Sequence, residues 1–224
     1  MSRNFLTPLV LPAGTASNAP LTLQSGTNLT TAAAGAMEYD GKAFYTTPQA
    51  RGISPSMMFY RLNANLVGAN VTTAQAIYGV GVTLQADTIY AFDGIYQLQK
   101  NSNTTSHTVG VSYGGTATLN NINISTIWTR GNVATASASM DTISAFHSFA
   151  TSAANLVLTS SIATANQTLV SRVAGTVSVS SGGTFIPRYT LSATGGPYTT
   201  LAGSYFAIWP IGTAGATVSV GPWA

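Results

Sequence analysis

The 224-residue chain contains no cysteine, which excludes disulfides, thiolate zinc sites and cysteine nucleophiles. Charge is nearly as scarce. There are eight Lys/Arg, five Asp/Glu and two His, and charged residues make up 6% of the chain, against about 25% in an average soluble domain. Chemistry at neutral pH draws on carboxylates, imidazoles, thiols and amines, so this composition argues against an enzyme and implies no cofactor. No apolar run reaches the roughly 18 residues that a membrane-crossing helix needs, and no membrane partner is expected. Met1-Ser2-Arg3-Asn4-Phe5-Leu6 carries one charge, and Pro8 and Pro12 interrupt the apolar stretch that follows. That is too short and broken for a signal peptide, so synthesis in a cytoplasm is expected. The basic residues Arg3, Lys42, Arg51, Arg61, Lys100, Arg130, Arg172 and Arg188 are scattered singly, giving a net charge of +3. Nucleic-acid binding relies on clustered Lys/Arg that track phosphates, so no nucleic-acid partner is expected either.

Hydrophobic residues make up 45% of the chain, and high apolar content with low charge is the opposite of a disordered composition. The Thr, Val, Ile, Tyr and Phe content favours pleated strands, and 22 Gly with 9 Pro supply turns. Two segments follow. Residues 1–75 hold Pro8, Pro12, Pro20, Pro48 and Pro55 and short apolar bursts, and read as an N-terminal arm with a β-hairpin module. Asp40-Gly41, between Ala36–Tyr39 and Lys42–Tyr45, is a two-residue hairpin signal because Gly tolerates positive φ. A hairpin this small buries too little surface alone, so it is expected to pack on another copy or domain.

Residues 76–224 read as evenly spaced strands. From Thr88 to Lys100, Tyr90, Phe92, Tyr96 and Leu98 alternate with Asp93, Gln97 and Gln99, the mark of a half-buried strand. The same period appears in His107/Val109/Val111/Tyr113, in Thr118–Trp128, in Leu169/Val173/Val177/Val179 with Arg172 opposite, in Phe185/Tyr189/Leu191 with Arg188 opposite, and in Tyr205/Ala207/Trp209. Pro187 predicts an edge strand or a bulge. Thr135–Asp141 and Thr151–Asn155 read as Ala/Ser/Thr loops. The fold class is all-β: a jelly-roll or β-sandwich domain preceded by a small N-terminal hairpin and arm. Strands with so few charged gatekeepers invite pairing, which makes a symmetric homo-oligomer the economical arrangement.

The chemical candidates are few. His107 opens a strand, and His147 is expected to pack between Phe146 and Phe149. No Gly-x-Ser-x-Gly elbow accompanies them. Glu38 and Asp40 are two apart and share a strand face if that stretch is regular, as a pair of glycosidase acids would need, but read more simply as a charged hairpin end paired with Lys42. The carboxylates Glu38, Asp40, Asp87, Asp93 and Asp141 form no calcium-type cluster, so no metal is expected. Gly114-Gly115, Gly182-Gly183 and Gly195-Gly196 are turns, since none opens a helix with a following Lys. Tyr45, Tyr60, Trp128 and Trp223 could stack on sugars if exposed, and fit core positions better.

Thr27-Asn28-Leu29-Thr30-Thr31-Ala32-Ala33-Ala34-Gly35-Ala36-Met37-Glu38-Tyr39-Asp40-Gly41, followed by Phe44-Tyr45, resembles a module that recurs in tailed-bacteriophage virion proteins. Ala86–Gly94, Thr105–Thr108, Gly114–Leu119, Gly182–Pro187 and Gly203–Phe206 are similar to the jelly-roll ends of such proteins. Together these stretches run from about residue 20 to 212. The resemblance implies a trimeric virion surface protein with no catalytic residue to carry over. It lacks the long shaft, heptads and tail-adaptor domain of typical fibres, which favours a head-decoration (cement) protein on the capsid surface. Its partners would be its own trimer mates and the major capsid protein. Arg3, Phe5, Leu6, Leu9 and Leu11 are the candidate capsid contacts, because the segment that holds them is too small to fold alone. The alternative is a tail-fibre or head-fibre tip that binds a host-surface receptor or glycan.

Overall fold

A computed structural model describes residues 10–48, 50–54, 56–132, 140–150, 156–157, 159, 161–215 and 217–223. All of its regular structure is β. The chain forms two compact units, Met1–Ser54 with Val220–Ala224, and Pro55–Ser219.

In the smaller unit, β1 (Met37–Tyr39), β2 (Phe44–Thr46) and β3 (Gly52–Ser54) form an antiparallel sheet in that order. Tyr39 pairs with Phe44, so four residues, Asp40 to Ala43, make the turn rather than the expected two. The reason lies in Asp40. Its Oδ1 accepts the backbone N–H of both Lys42 and Ala43 at 2.8 Å, and its Oδ2 accepts the Tyr45 hydroxyl at 2.8 Å. An Asx-type turn thereby replaces the tight one, and Gly41 takes the left-handed position at φ +88°. Burial alone would raise the Asp40 pKa, but these hydrogen bonds outweigh it and hold the carboxyl below its ordinary range. The Tyr45 phenol moves the other way, to about 12, through burial and its bond to the Asp40 carboxylate.

The larger unit contains β4 (Met58–Arg61), β5 (Leu66–Val67), β6 (Gln75–Ala76), β7 (Val82–Leu84), β8 (Thr88–Lys100), β9 (Val109–Gly114), β10 (Thr118–Asn132), β11 (Met140–Ala150), β12 (Leu156–Val157), β13 (Gln167–Ser181), β14 (Gly183–Leu191), β15 (Tyr198–Thr200) and β16 (Tyr205–Thr213). One antiparallel sheet runs β11-β10-β13-β8 and then divides. Along β8, β16 pairs with residues 88–95 and β15 with residues 98–100; β4 lies beyond β16 and β5 beyond β15. The second sheet runs β12-β9-β14, with β6 and β7 both on the far side of β14. β4 and β5 belong to the 1–75 segment in sequence and β6 straddles its end, yet all three pair with strands of this sandwich. The boundary between the compact units lies at residues 54/55.

β8 alternates without a fault. Tyr90, Phe92, Tyr96 and Leu98 are buried, and the residues between them are partly exposed. Facing them, β9 and β14 contribute Val109, Val111, Tyr113, Phe185, Tyr189 and Leu191, all buried. The Phe92 ring packs on Tyr113, Phe185 and Phe206 at centroid distances of 5.5, 6.4 and 5.7 Å. Tyr96 and Tyr113 satisfy each other through a 3.1 Å hydroxyl–hydroxyl hydrogen bond, which a buried phenol requires. Tyr205 and Trp209 are partly exposed on β16, and it is Phe206 and Ile208 that face the core.

Pro187 lies in an internal strand, at a break in one of its ladders. The N–H of Ile77 donates to the Pro187 carbonyl at 2.9 Å, but proline has no N–H to return the bond. Pairing on that side is therefore split between β7, at residues 183–185, and β6, at residues 188–189. Asp141 falls inside β11 instead of a loop, while residues 133–139 and 151–155 lie outside the described residues.

Gly175 of β13 sits opposite Phe92 of β8. A Cβ there would meet the Asn123 carbonyl oxygen and the Phe92 ring. Gly175→Ala should therefore lower the unfolding free energy by about 1–3 kcal/mol, as overpacking does. Urea denaturation checks this, and a wild-type midpoint would contradict it.

Candidate functional site

The two histidines differ sharply. His107 is buried beside the start of β9. Its Nδ1 lies 2.8 Å from the Thr105 carbonyl, which can only accept, so Nδ1 carries the proton. Nε2 then accepts the Tyr198 hydroxyl at 2.8 Å. Lys100 is 1% exposed. Its Nζ donates to the Thr105 carbonyl at 3.3 Å and the Ile162 carbonyl at 3.4 Å. Burial lowers the Lys100 pKa. It also lowers that of His107; the Thr105 carbonyl opposes the shift and the Lys100 charge adds to it. Among the described residues no carboxylate is hydrogen-bonded into this network, and it ties the 101–107 loop to β15. His147 does not pack between Phe146 and Phe149 as expected; all three are exposed on β11.

The carboxylates separate in the same way. Glu38 of β1 pairs with Arg51 (Nε to Oε2, 2.9 Å) and accepts the Leu29 N–H at 2.6 Å, whereas Asp40 organises the turn. Asp93 lies on the outer face of the larger unit with Arg172 at 3.7 Å. Among the described residues no three of His, Cys, Asp and Glu come close enough to hold a metal ion. Of the aromatic candidates, Tyr45 and Trp128 are buried, while Tyr60 and Trp223 are exposed.

What the larger unit presents instead is sparsely charged edge. β11 runs eleven residues and, among the described residues, pairs only with β10. Its outward N–H and C=O groups form an open ladder, with Phe149 65% exposed beside them. At the opposite side of the same sheet, β4 pairs, among the described residues, only with β16. Next to it is an apolar groove of about 190 Å³ lined by Met58, Tyr60, Tyr78, Val80, Pro187 and Ile208. Edges of this kind template further strands unless charge or proline blocks them. The sequence gives β4 one charge, Arg61, and β11 one acid, Asp141.

Of the sequence-derived capsid contacts, Arg3, Phe5, Leu6 and Leu9 lie outside the described residues. Leu11 is 40% exposed, and its neighbour Val10 is 85% exposed, in a segment without regular structure. The exposed strand edges were not among the site residues read from sequence. The signal that could have found them is the absence of Lys, Glu and Pro from Ile143–Ala150.

No protein-family model matches the chain, and no curated protein matches it. Two solved structures resemble it weakly. A chain from the structure of infectious bursal disease virus Gx strain is 9% identical with a TM-score of 0.20, covering 79% of this chain and 48% of that one. A chain from the crystal structure of the T13 IBDV viral particle is 10% identical with a TM-score of 0.19, covering 79% and 46%. The present chain spans about half the length of each. TM-scores of this size assign neither a family nor a function.

Because the folded His107 pKa is below its unfolded value of about 6.5, the unfolded chain takes up its proton first as pH falls. The stability contributed by the neutral ring is complete above about pH 6.5 and is lost as pH falls toward the folded-state value. Urea midpoints measured from about pH 7.5 down to pH 5 should decline, and His107→Gln should flatten that decline. An identical slope in the variant would show that the ring is not the titrating group.

Proposed function

We propose that the protein is a non-enzymatic structural component of a phage virion: a trimeric head-decoration (cement) protein that bridges and stabilises capsid subunits on the capsid surface. The observation that carries this reading is the pair of unlike edges on one sheet, β4 with one basic residue and β11 with one acid. An edge strand joined to a different edge on the next copy is a heterologous contact, and such contacts form a ring when the rotation closes. β11 of one copy against β4 of the next would supply that contact, with the apolar groove beside β4 receiving side chains from the incoming strand. The exposed residues around Val10 and Leu11, which lack regular structure, suit an arm laid on a neighbouring capsid subunit, with Arg3, Phe5, Leu6, Leu9 and Leu11 as its contacts. Many copies on one shell turn weak individual contacts into firm attachment. The resemblance of residues 27–45 to phage virion modules points the same way.

Three measurements test this. Sedimentation equilibrium should give three times the 23.0 kDa chain mass. Phe149→Lys places a charge at an exposed position on the β11 edge, and should leave a folded monomer; a monomeric wild type, or a trimeric variant, counts against the ring. Deleting residues 1–20 should abolish attachment to capsids while leaving the trimer intact, and full occupancy by the truncated protein would remove the arm from the account. Quantitative mass spectrometry of virions should find hundreds of copies, since a count of a few dozen belongs to a tail structure.

A further inference from the structure

The outer face of the larger sheet gathers most of its charge at one place. Directly paired residues on neighbouring strands point to the same face. The registers Arg61↔Tyr205, Tyr205↔Ile95 and Ile95↔Arg172 therefore form one row across β4, β16, β8 and β13, and Phe59↔Ala207↔Asp93 forms the row beside it. Phe59 and Tyr205 stack at a centroid distance of 5.4 Å with ring planes 22° apart, and Phe59 is 57% exposed. The Tyr205 hydroxyl donates to Asp93 Oδ1 at 2.8 Å, and Arg172 Nε lies 3.7 Å from Asp93 Oδ2 with its side chain 69% exposed. Arg61 donates one terminal nitrogen to Asn63 Oδ1 at 2.7 Å. Its other terminal nitrogen and the Gln97 amide nitrogen both come within 4 Å of the position a Cβ would take on Gly203.

We infer that this face is a binding site for a short acidic oligosaccharide bearing carboxylate groups. The charge balance decides the class of ligand. Asp93 is the only acid in β4, β8, β10, β13 and β16, and two guanidiniums stand against it, leaving a local excess of positive charge. Arg61 and Arg172 are three strand spacings apart, about 14 Å at roughly 4.8 Å per spacing. Tyr205 lies in the row between them and Phe59 stacks on it from the strand that carries Arg61, so each guanidinium can take a separate carboxylate of one extended chain. A guanidinium fork matches a planar carboxylate with two parallel N–H···O bonds. Beside Arg61, the face of the exposed Phe59 ring offers an apolar, electron-rich surface for the C–H face of a sugar ring. Asp93 and the Gln97 amide supply an acceptor and a donor for its hydroxyls. Pairing at the β4 edge adds a strand beside this face and leaves it open, so the site stands independently of the ring described above.

The test is calorimetric titration of the full chain with tetrasaccharides of galacturonate, glucuronate and mannuronate, each alongside its fully methyl-esterified form. At least one acid should bind in the micromolar to low-millimolar range, with its ester at least tenfold weaker. Arg172→Gln and Arg61→Gln should each lower that affinity at least tenfold, and Phe59→Ala should lower affinity for acid and ester alike. All three residues are exposed, and an unchanged urea midpoint for each variant would show that the fold is kept. The inference is overturned if no acid binds, if the esters bind as well as the acids, or if the two arginine variants bind like the wild type.

Discussion

The sandwich depends on one strand that cannot slip. β8 meets β13 along one side and both β16 and β15 along the other, and all of its large inward rings belong to a single alternation. A shift of one residue would send Tyr90, Phe92, Tyr96 and Leu98 to the outer face and bring Asp93, Gln97 and Gln99 into the core. That cost fixes the register of every strand beside it. The second sheet is aligned by the same rings, because Phe92 packs on Tyr113 and Phe185 and the Tyr96 hydroxyl hydrogen-bonds that of Tyr113. Gly175 completes the arrangement from β13 by leaving room for the Phe92 ring.

Several buried polar groups find partners inside the sandwich, while others, such as Trp128 Nε1, Gln167 Oε1 and the Tyr189 hydroxyl, make no hydrogen bond. Tyr96 with Tyr113, and His107 with Tyr198 and the Thr105 carbonyl, form short satisfied pairs. Thr126 and Ser171 do the same across β10 and β13, at 2.8 Å. Lys100 is the exception in kind. It is a buried cation facing two carbonyl oxygens with no carboxylate opposite, an arrangement whose desolvation cost is only partly offset by hydrogen bonding. It anchors the end of β8 by holding two loop carbonyls, a task an uncharged donor of the same length could perform.

Legibility in the sequence tracked strand length. β8, β13 and β14 are long enough for a period of two to stand out, and their buried faces match the apolar positions. The short strands were not legible. β4 and β5 owe their existence to β16 and β15, whose partner residues lie more than a hundred positions away, and no local pattern announces such pairing. The hairpin at Asp40-Gly41 was placed correctly but given too tight a turn, because side-chain capture of two backbone N–H groups is a three-dimensional event. Asp93, Arg172 and Tyr205 could each be assigned a direction from alternation. Their convergence needed the β13–β8–β16 register, which the sequence does not state.

The gap at Pro187 decides how the two margins of its sheet differ from those of the larger sheet. The ladder beside β14 is broken into two short pieces, β6 and β7, and the opposite margin of that sheet is the two-residue β12. Neither margin offers a run long enough to seed a new strand, whereas the larger sheet offers β11 at full length. Among the described residues, the long unpaired margin therefore lies in one layer of the sandwich, and the other layer is bordered by short pieces alone.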